Sequence, residues 1–227
     1  MARRRMCKPR HLLGAAILAA YCALAASGGV RPVRYVDIAS SGQLRPNRYD
    51  DTGRVPFEYR SDADLHAYAQ AIVDPVRVYD GADGQFDGLS RTERLDLARY
   101  MGARFSKALA TLADPYRRPI VRTLRVRLTL TGATRNVTAL SALSRFELVG
   151  AAYNAIQAWR DREGALMGSA SFAVEIYDAS TNELLRAYVS KTYPGAWDLA
   201  ASVGALSASR TALDIGAADL ASYLVRG

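Results

Sequence analysis

The stretch Thr123-Leu124-Arg125-Val126-Arg127-Leu128-Thr129-Leu130-Thr131 alternates apolar and polar residues without a break. Side chains on a strand point to opposite faces with a period of two. Leu124, Val126, Leu128 and Leu130 are therefore expected on a core, and Arg125, Arg127, Thr129 and Thr131 on a face in water. A second alternating pair follows. Phe172, Val174 and Ile176 mark one arm, Leu185, Ala187 and Val189 the other, and 178–183 supplies the polar turn of a hairpin.

Upstream, Ile72, Val73, Val76 and Val78 form a strand interrupted by Pro75. Proline has no amide to give to a ladder, so this strand belongs at an edge or a bulge. The loop 80–84 leads to Ser90-Arg91-Thr92-Glu93, a capping box in which the hydroxyl and the carboxylate each satisfy an orphan amide. The helix it opens carries Leu95, Ala98, Met101, Phe105, Leu109 and Leu112 at helical spacing, and Asp114-Pro115 ends it. A further helical stretch is expected over 146–161. A closing helix is expected from Ser207 to Val225, with Leu213, Ala217, Leu220 and Leu224 inward. The order β-α-β-α-β-β-α predicts an α+β fold, a two-layer sandwich with a mostly antiparallel sheet and helices on one face.

The ends divide the chain further. Arg3, Arg4, Arg5, Lys8 and Arg10 precede the apolar run Leu12–Ala26 and the small residues Ser27-Gly28-Gly29. This is the layout of a bacterial export signal, so residues 1–27 are expected to be a cleaved signal peptide. An apolar run of 15 residues is short for a spanning helix, which needs about 20. Two alternatives stay open: lipidation at Cys22, where Tyr21 departs from the usual lipobox, and retention as an anchor. Residues 28–64, with Pro32, Pro46 and Pro56, read as a polar tether or a surface strap, part of which docks through Tyr35, Tyr49, Phe57 and Tyr59. Residues 65–227 read as a single α+β domain.

Three of these blocks, Ile72-Val73-Asp74-Pro75-Val76, Leu124 through Thr131, and Tyr177-Asp178-Ala179 through Glu183-Leu184-Leu185, resemble the bacterial family called domain of unknown function 3313. The resemblance spans roughly 65–225. It implies an exported, lipoprotein-like envelope protein with no assigned catalytic activity.

Composition narrows the chemistry. The chain holds 30 basic and 22 acidic residues, but five of the basic ones lie before residue 28 and no acidic one does. The remainder, 25 against 22, is too mild for a phosphate-binding surface, and no nucleic-acid partner is expected. Both cysteines and one of two histidines also lie in the leader, which leaves His66 as the one imidazole beyond it. A zinc site needs three or four nitrogen or sulfur ligands, so no metal and no cofactor are expected. His66 precedes the first core strand and has no Gly-x-Ser-x-Gly elbow to serve, so it reads as a surface histidine. Asp83-Gly84-Gln85-Phe86-Asp87-Gly88 echoes a calcium loop, but its twelfth place is Arg94 rather than a bidentate Glu, and a Gly/Asp turn explains it. Trp197 reads as packed on the sheet edge, and Asn136-Val137-Thr138 as a sequon without meaning in bacteria.

The expected activity is binding, not catalysis: an accessory or scaffold component facing the periplasm. Its candidate binding face is Arg125, Arg127, Tyr177, Tyr188 and Lys191. One alternative is a carrier of a small amphiphile between helices and sheet. Another is a hydrolase using carboxylates such as Asp80 and Asp83, which needs a cleft with unequal acidities. Partner and oligomeric state are not encoded in any motif.

Overall fold

The computed structural model describes residues 31–112, 122–135, 168–195 and 204–226. They form an α+β arrangement around one mixed, mostly antiparallel eight-stranded sheet. In chain order these are β1 (Arg45–Pro46), β2 (Phe57–Arg60), β3 (Tyr68–Val73), β4 (Arg77–Val78), β5 (Gln85–Phe86), α1 (Arg91–Leu109), β6 (Arg122–Ala133), β7 (Ala170–Asp178), β8 (Leu184–Thr192) and α2 (Ser207–Arg226). The strand order is β1-β2-β8-β7-β6-β3, and β4 and β5 also pair with β6. Strands β3, β4 and β5 run parallel to β6, because α1 carries the chain back between them. Every other pairing is antiparallel. The expected stretch 146–161, Trp197, Asn136 and the leader lie outside the described residues.

Pro75 falls between β3 and β4 at the edge of the sheet, where a missing amide removes no ladder bond. Ser90 and Glu93 form the reciprocal cap of α1: the Glu93 amide donates to Ser90 Oγ at 3.3 Å, and the Ser90 amide donates to Glu93 Oε2 at 2.8 Å. Arg135 Nη2 also donates to Glu93, and these bonds hold its carboxyl down at about 2. The buried stripe of α1 is Leu97, Ala98, Met101, Phe105 and Leu109. Leu95, expected inward, is 43% exposed, and Leu97 takes its place. Along α2 all four expected residues are buried. The two helices are tied by Asp214, which accepts from Tyr100 Oη at 2.9 Å and from Arg104 Nε at 2.5 Å.

Both faces of the central strands are covered. Against the helices lie Leu124, Val126, Leu128 and Leu130 of β6 and Phe172, Val174 and Ile176 of β7. Against the other face lie Tyr35, Ile38 and Leu44, which bury Ala173, Ala187 and Val189. Residues from Arg31 onward therefore pack into one unit with the sheet. Residues 31–60 run as a strap over this face and also extend the sheet: β2 pairs with β8 from Phe57↔Val189 to Arg60↔Arg186. The expectation of a solvated second face on β6 fails beyond Arg127. Thr129 and Thr131 are buried, because the strap covers them.

Strand β8 departs from its sequence pattern. A bulge at Leu185 places Arg186 opposite Ile176 and Tyr188 opposite Val174. A one-residue slip moves every side chain to the other face. The apolar pair Ala187 and Val189 thus faces the strap, while Arg186 and Tyr188 face the helices.

The strap is held by polar bonds as well as by apolar burial. Ser40 donates its amide to Glu175 Oε1 at 2.6 Å, and Tyr35 Oη donates to Gln85 Oε1 at 2.9 Å. Tyr79 Oη donates to Asp83 Oδ1 at 2.5 Å and its ring meets Tyr35 edge-on at 5.2 Å. Burial pushes the phenols of Tyr35 and Tyr79 up to about 12, and the Asp83 bond adds to the rise at Tyr79. Tyr68 rises to about 12 for the same reason, with Asp178 accepting its proton.

Two predictions follow from this packing. A Cβ on Gly216 would collide with the Phe172 ring, which meets Phe105 edge-on at 5.5 Å. Gly216→Val should lower stability by about 2–3 kcal/mol in urea melts through overpacking. The raised phenols stabilise the fold fully below the ordinary tyrosine value of 10.0 and lose that contribution as pH climbs toward 12. Stability should therefore fall steeply between pH 10 and 12, and Tyr79→Phe should flatten that fall in melts at stepped pH.

Candidate functional site

At one end of the strap's sheet face Arg125 and Arg127 stay partly exposed, while Tyr177 is buried beside them. Residues sharing that face are Arg125 and Arg127 on β6 and Tyr177 on β7, with Arg125 directly opposite Tyr177. Asp74, in the gap between β3 and β4, anchors both arginines. Arg125 Nε donates to Asp74 Oδ2 at 2.9 Å and to Oδ1 at 3.0 Å. Arg127 Nε reaches the same Asp74 Oδ2 at 3.4 Å, and its Nη2 donates to Asn182 Oδ1 at 3.2 Å. The Arg127 guanidinium also stacks on the Tyr177 ring, 4.4 Å from its centroid. Stacking of this kind leaves the in-plane N–H donors free to point outward.

The local chain explains the geometry. Pro75 stops the β3 ladder one residue after Asp74, so the Asp74 side chain lies beside the arginine row. The Asp74 amide still bonds to the Val126 carbonyl at 2.9 Å, which fixes its height along β6. Asn182 occupies the left-handed region at φ 57°, which an Asn tolerates in the hairpin turn. Asp178 builds that turn by accepting the Ser180 and Thr181 amides at 2.8 and 3.1 Å. It also accepts from Ser180 Oγ, from Tyr68 Oη and from Arg122 Nη2 at 2.9 Å; the Ser180 hydroxyl, then the Tyr68 hydroxyl and the two turn amides, hold its carboxyl far below the usual range. Burial raises the Tyr177 phenol, and the charge of Glu175 adds to the rise.

Three of the five candidate residues thus come together, and two do not. Lys191 is buried at the far end of β8, where its amide donates to the Arg54 carbonyl of the strap at 2.8 Å. Tyr188 lies on the opposite face, against the helices, and burial pushes its phenol above the ordinary range. Asp74, which organises the row, carries no signal in the sequence except its place before Pro75.

The other candidate chemistries find different partners. Asp83 is engaged by Tyr79 Oη and by the Val36 amide, while Asp80 is exposed. Gln85 pairs with Gly132 in the sheet, and its amide side chain bonds Tyr35 and the Arg31 carbonyl. Arg94 stacks over Phe86 at 4.5 Å. The calcium-like stretch is therefore a strap-holding loop. A Cβ at Gly132 would lie 2.6 Å from the Gln85 carbonyl, so β5 approaches as closely as it does because that residue is glycine. His66 is exposed in the 3-10 turn Leu65–Ala67, which Asp64 caps through the His66 amide at 2.9 Å. Among the described residues no three His, Cys, Asp or Glu side chains cluster as metal ligands. No helix among them is long and apolar enough to cross a membrane.

These features define an α+β domain with a strap-covered sheet and a small arginine-tyrosine platform at one end of it. The chain belongs to the DUF3313 family, proteins of unknown function, whose sequence profile matches residues 34–220. That match includes most of the strap together with the sheet, α1 and most of α2. No curated protein matches the chain. Among solved structures it is similar to a PelC dodecamer from Paraburkholderia phytofirmans, at 8% identity and a TM-score of 0.36, over 72% of this chain and 93% of that one.

The Asp74 pairs are a quarter to two-fifths exposed at the side-chain level, so water screens them. Asp74→Ala should cost less than about 1 kcal/mol in thermal or urea melts. It should also raise the mobility of both guanidinium groups, read as sharper Nε–H resonances in an arginine-labelled sample.

Proposed function

We propose that this chain is a non-catalytic protein of the bacterial cell envelope that acts by binding, as an accessory or scaffold component facing the periplasm. The observation that carries the reading is the pre-set platform of Arg125, Arg127 and Tyr177. Its cations are held in place by Asp74 and by stacking, so a partner does not have to order them on contact. Arginine and tyrosine are the residues that most often anchor protein interfaces. The reading of an exported protein rests on the leader, with its basic start and 15-residue apolar run. The same proposal takes the domain as a two-layer sandwich in the order β-α-β-α-β-β-α.

The partner is an envelope protein, and the platform gives its contact chemistry: carboxylates or backbone carbonyls presented to two fixed guanidinium groups. An amphiphile carrier or a carboxylate hydrolase gains no comparable support. The space between helices and sheet is filled by Met101, Phe105, Phe172 and Leu213, and Asp83 is spent on the strap.

The test is the intact mass of the mature protein from fractionated cells. A chain starting between Ala26 and Gly28 in the periplasmic fraction is the expected result, and a lipid adduct on Cys22 in the membrane fraction keeps the envelope reading with an anchor added. A full-length chain in the cytoplasmic fraction overturns it. In the exported protein, the double variant Arg125→Glu/Arg127→Glu should fold normally and lose any partner cross-linked at Asn182.

A further inference from the structure

The sheet ends at β3. In the order β1-β2-β8-β7-β6-β3 this strand is last, and it pairs with β6 alone. The Asp74 amide donates to the Val126 carbonyl, so the main chain of residue 74 faces β6. Successive residues of a strand turn their amide and carbonyl to alternate sides. Gln70 and Ile72 therefore also face β6. Ala71 and Val73 turn theirs outward, where no strand among the described residues meets them.

A free edge of this kind is a template for another strand, and monomeric proteins blunt it with charges, proline or bulges. Here the two ends are blunted and the middle is not. The register slips between Tyr68 and Gln70, which leaves Ala69 as the extra residue, and Pro75 has no amide to offer. Between them Gln70-Ala71-Ile72-Val73 carries no charge. Ile72 is 54% exposed on one face of the sheet. On the other face Ala71, Val73 and Val76 enter the core only in part. Apolar surface thus flanks the open main chain on both sides.

We propose that this edge is an interface with a second copy of the chain, paired antiparallel about a two-fold axis at Ile72. In this register the edge is complementary to itself. Ala71 lies opposite Val73 of the second copy, and each such pair exchanges both of its main-chain bonds. Ile72 lies opposite its own copy in a non-hydrogen-bonded position, where Cα atoms stand about 4.5 Å apart and side chains pack closest. Gln70 faces Asp74 of the second copy, so an amide donor meets a carboxylate rather than a like charge. Ala69 faces Pro75, so the residue out of register meets the one without an amide, and no further ladder bond is lost. A centre one residue earlier sets the bulged Ala69 against Val73 and wastes the outward groups of Val73. The axis at Ile72 also brings Arg125 and Arg127 of both copies onto one face of a joined sheet. The interface itself does not depend on that platform having a partner.

The experiment is sedimentation equilibrium of the full chain and of its Ile72→Lys variant. The parent should sediment with twice the mass of one chain. Ile72→Lys sets two like charges face to face at the axis and removes both isoleucines from the contact, so it should raise the dissociation constant more than about tenfold. The position is half exposed, so the variant should keep the far-UV dichroism of the parent. Cysteine pairing reads the register separately, in a Cys7→Ser/Cys22→Ser background that removes the two native thiols. Ile72→Cys should form an intermolecular disulfide at least about tenfold faster than Gln70→Cys, because the Cα separation at the axis suits the bond and the two copies of position 70 are offset. A single-chain mass at every concentration overturns the proposal and leaves the edge to a strand from another protein. A dimer that Ile72→Lys does not weaken overturns it too, as association through the leader would produce. Equal disulfide rates at 70 and 72 also overturn it, and this comparison decides alone if Ile72→Lys fails to fold.

Discussion

The structure depends on the strap being bound to the second face of the sheet. Strands β6 and β7 bury Thr131, Ser171 and Glu175 on that face, groups that in an uncovered sheet would sit in water. Covering them carries a cost wherever a partner is missing, as at the Thr131 hydroxyl, because a buried polar group without one costs more than an apolar substitute. Glu175 finds the Ser40 amide, and the Tyr35 ring fills the space between Tyr79 and the strand surface. The strap thus has no independent stability to contribute. Its fold exists where the sheet gives its amides and aromatic rings a counterpart.

Much of the helix side was legible from the sequence because it obeys simple periods. The alternation Leu124, Val126, Leu128, Leu130 puts four apolar residues on one face, and the stripe Leu213, Ala217, Leu220, Leu224 supplies the matching face of α2. The Ser90–Glu93 box set the start of α1 to the residue, since two orphan amides are satisfied there and nowhere adjacent. The strap side was less legible for a physical reason. Its anchors, Tyr35, Ile38 and Leu44, sit at irregular spacing in turns, so no period betrays them. What they cover is marked by threonine, serine and alanine, residues as common on a wet face as on a covered one.

The bulge at Leu185 accounts for the placement of Tyr188 away from Arg125, Arg127 and Tyr177. Periodicity in Leu185, Ala187 and Val189 reads as one continuous face, but Leu185 is the extra residue and belongs to the helix-side core, while Ala187 and Val189 belong to the strap side. No local residue preference announces this slip. Its consequence is chemical as well as geometric. It turns Arg186 inward beneath Tyr223 and sets it against Arg60, while Tyr188 leaves the face it was expected to share with Tyr177.

The platform and Arg186 therefore have opposite characters. At the platform, Asp74 satisfies Arg125 and Arg127 in a setting that water still reaches, so the arrangement costs little and its value lies in orientation. At Arg186, a guanidinium has been desolvated with two donors left without acceptors among the described residues, so the fold carries an electrostatic cost. The β2–β8 pairing places this cost at the junction of the strap's last strand with the hairpin, so the contacts that attach the strap to the sheet must outweigh it.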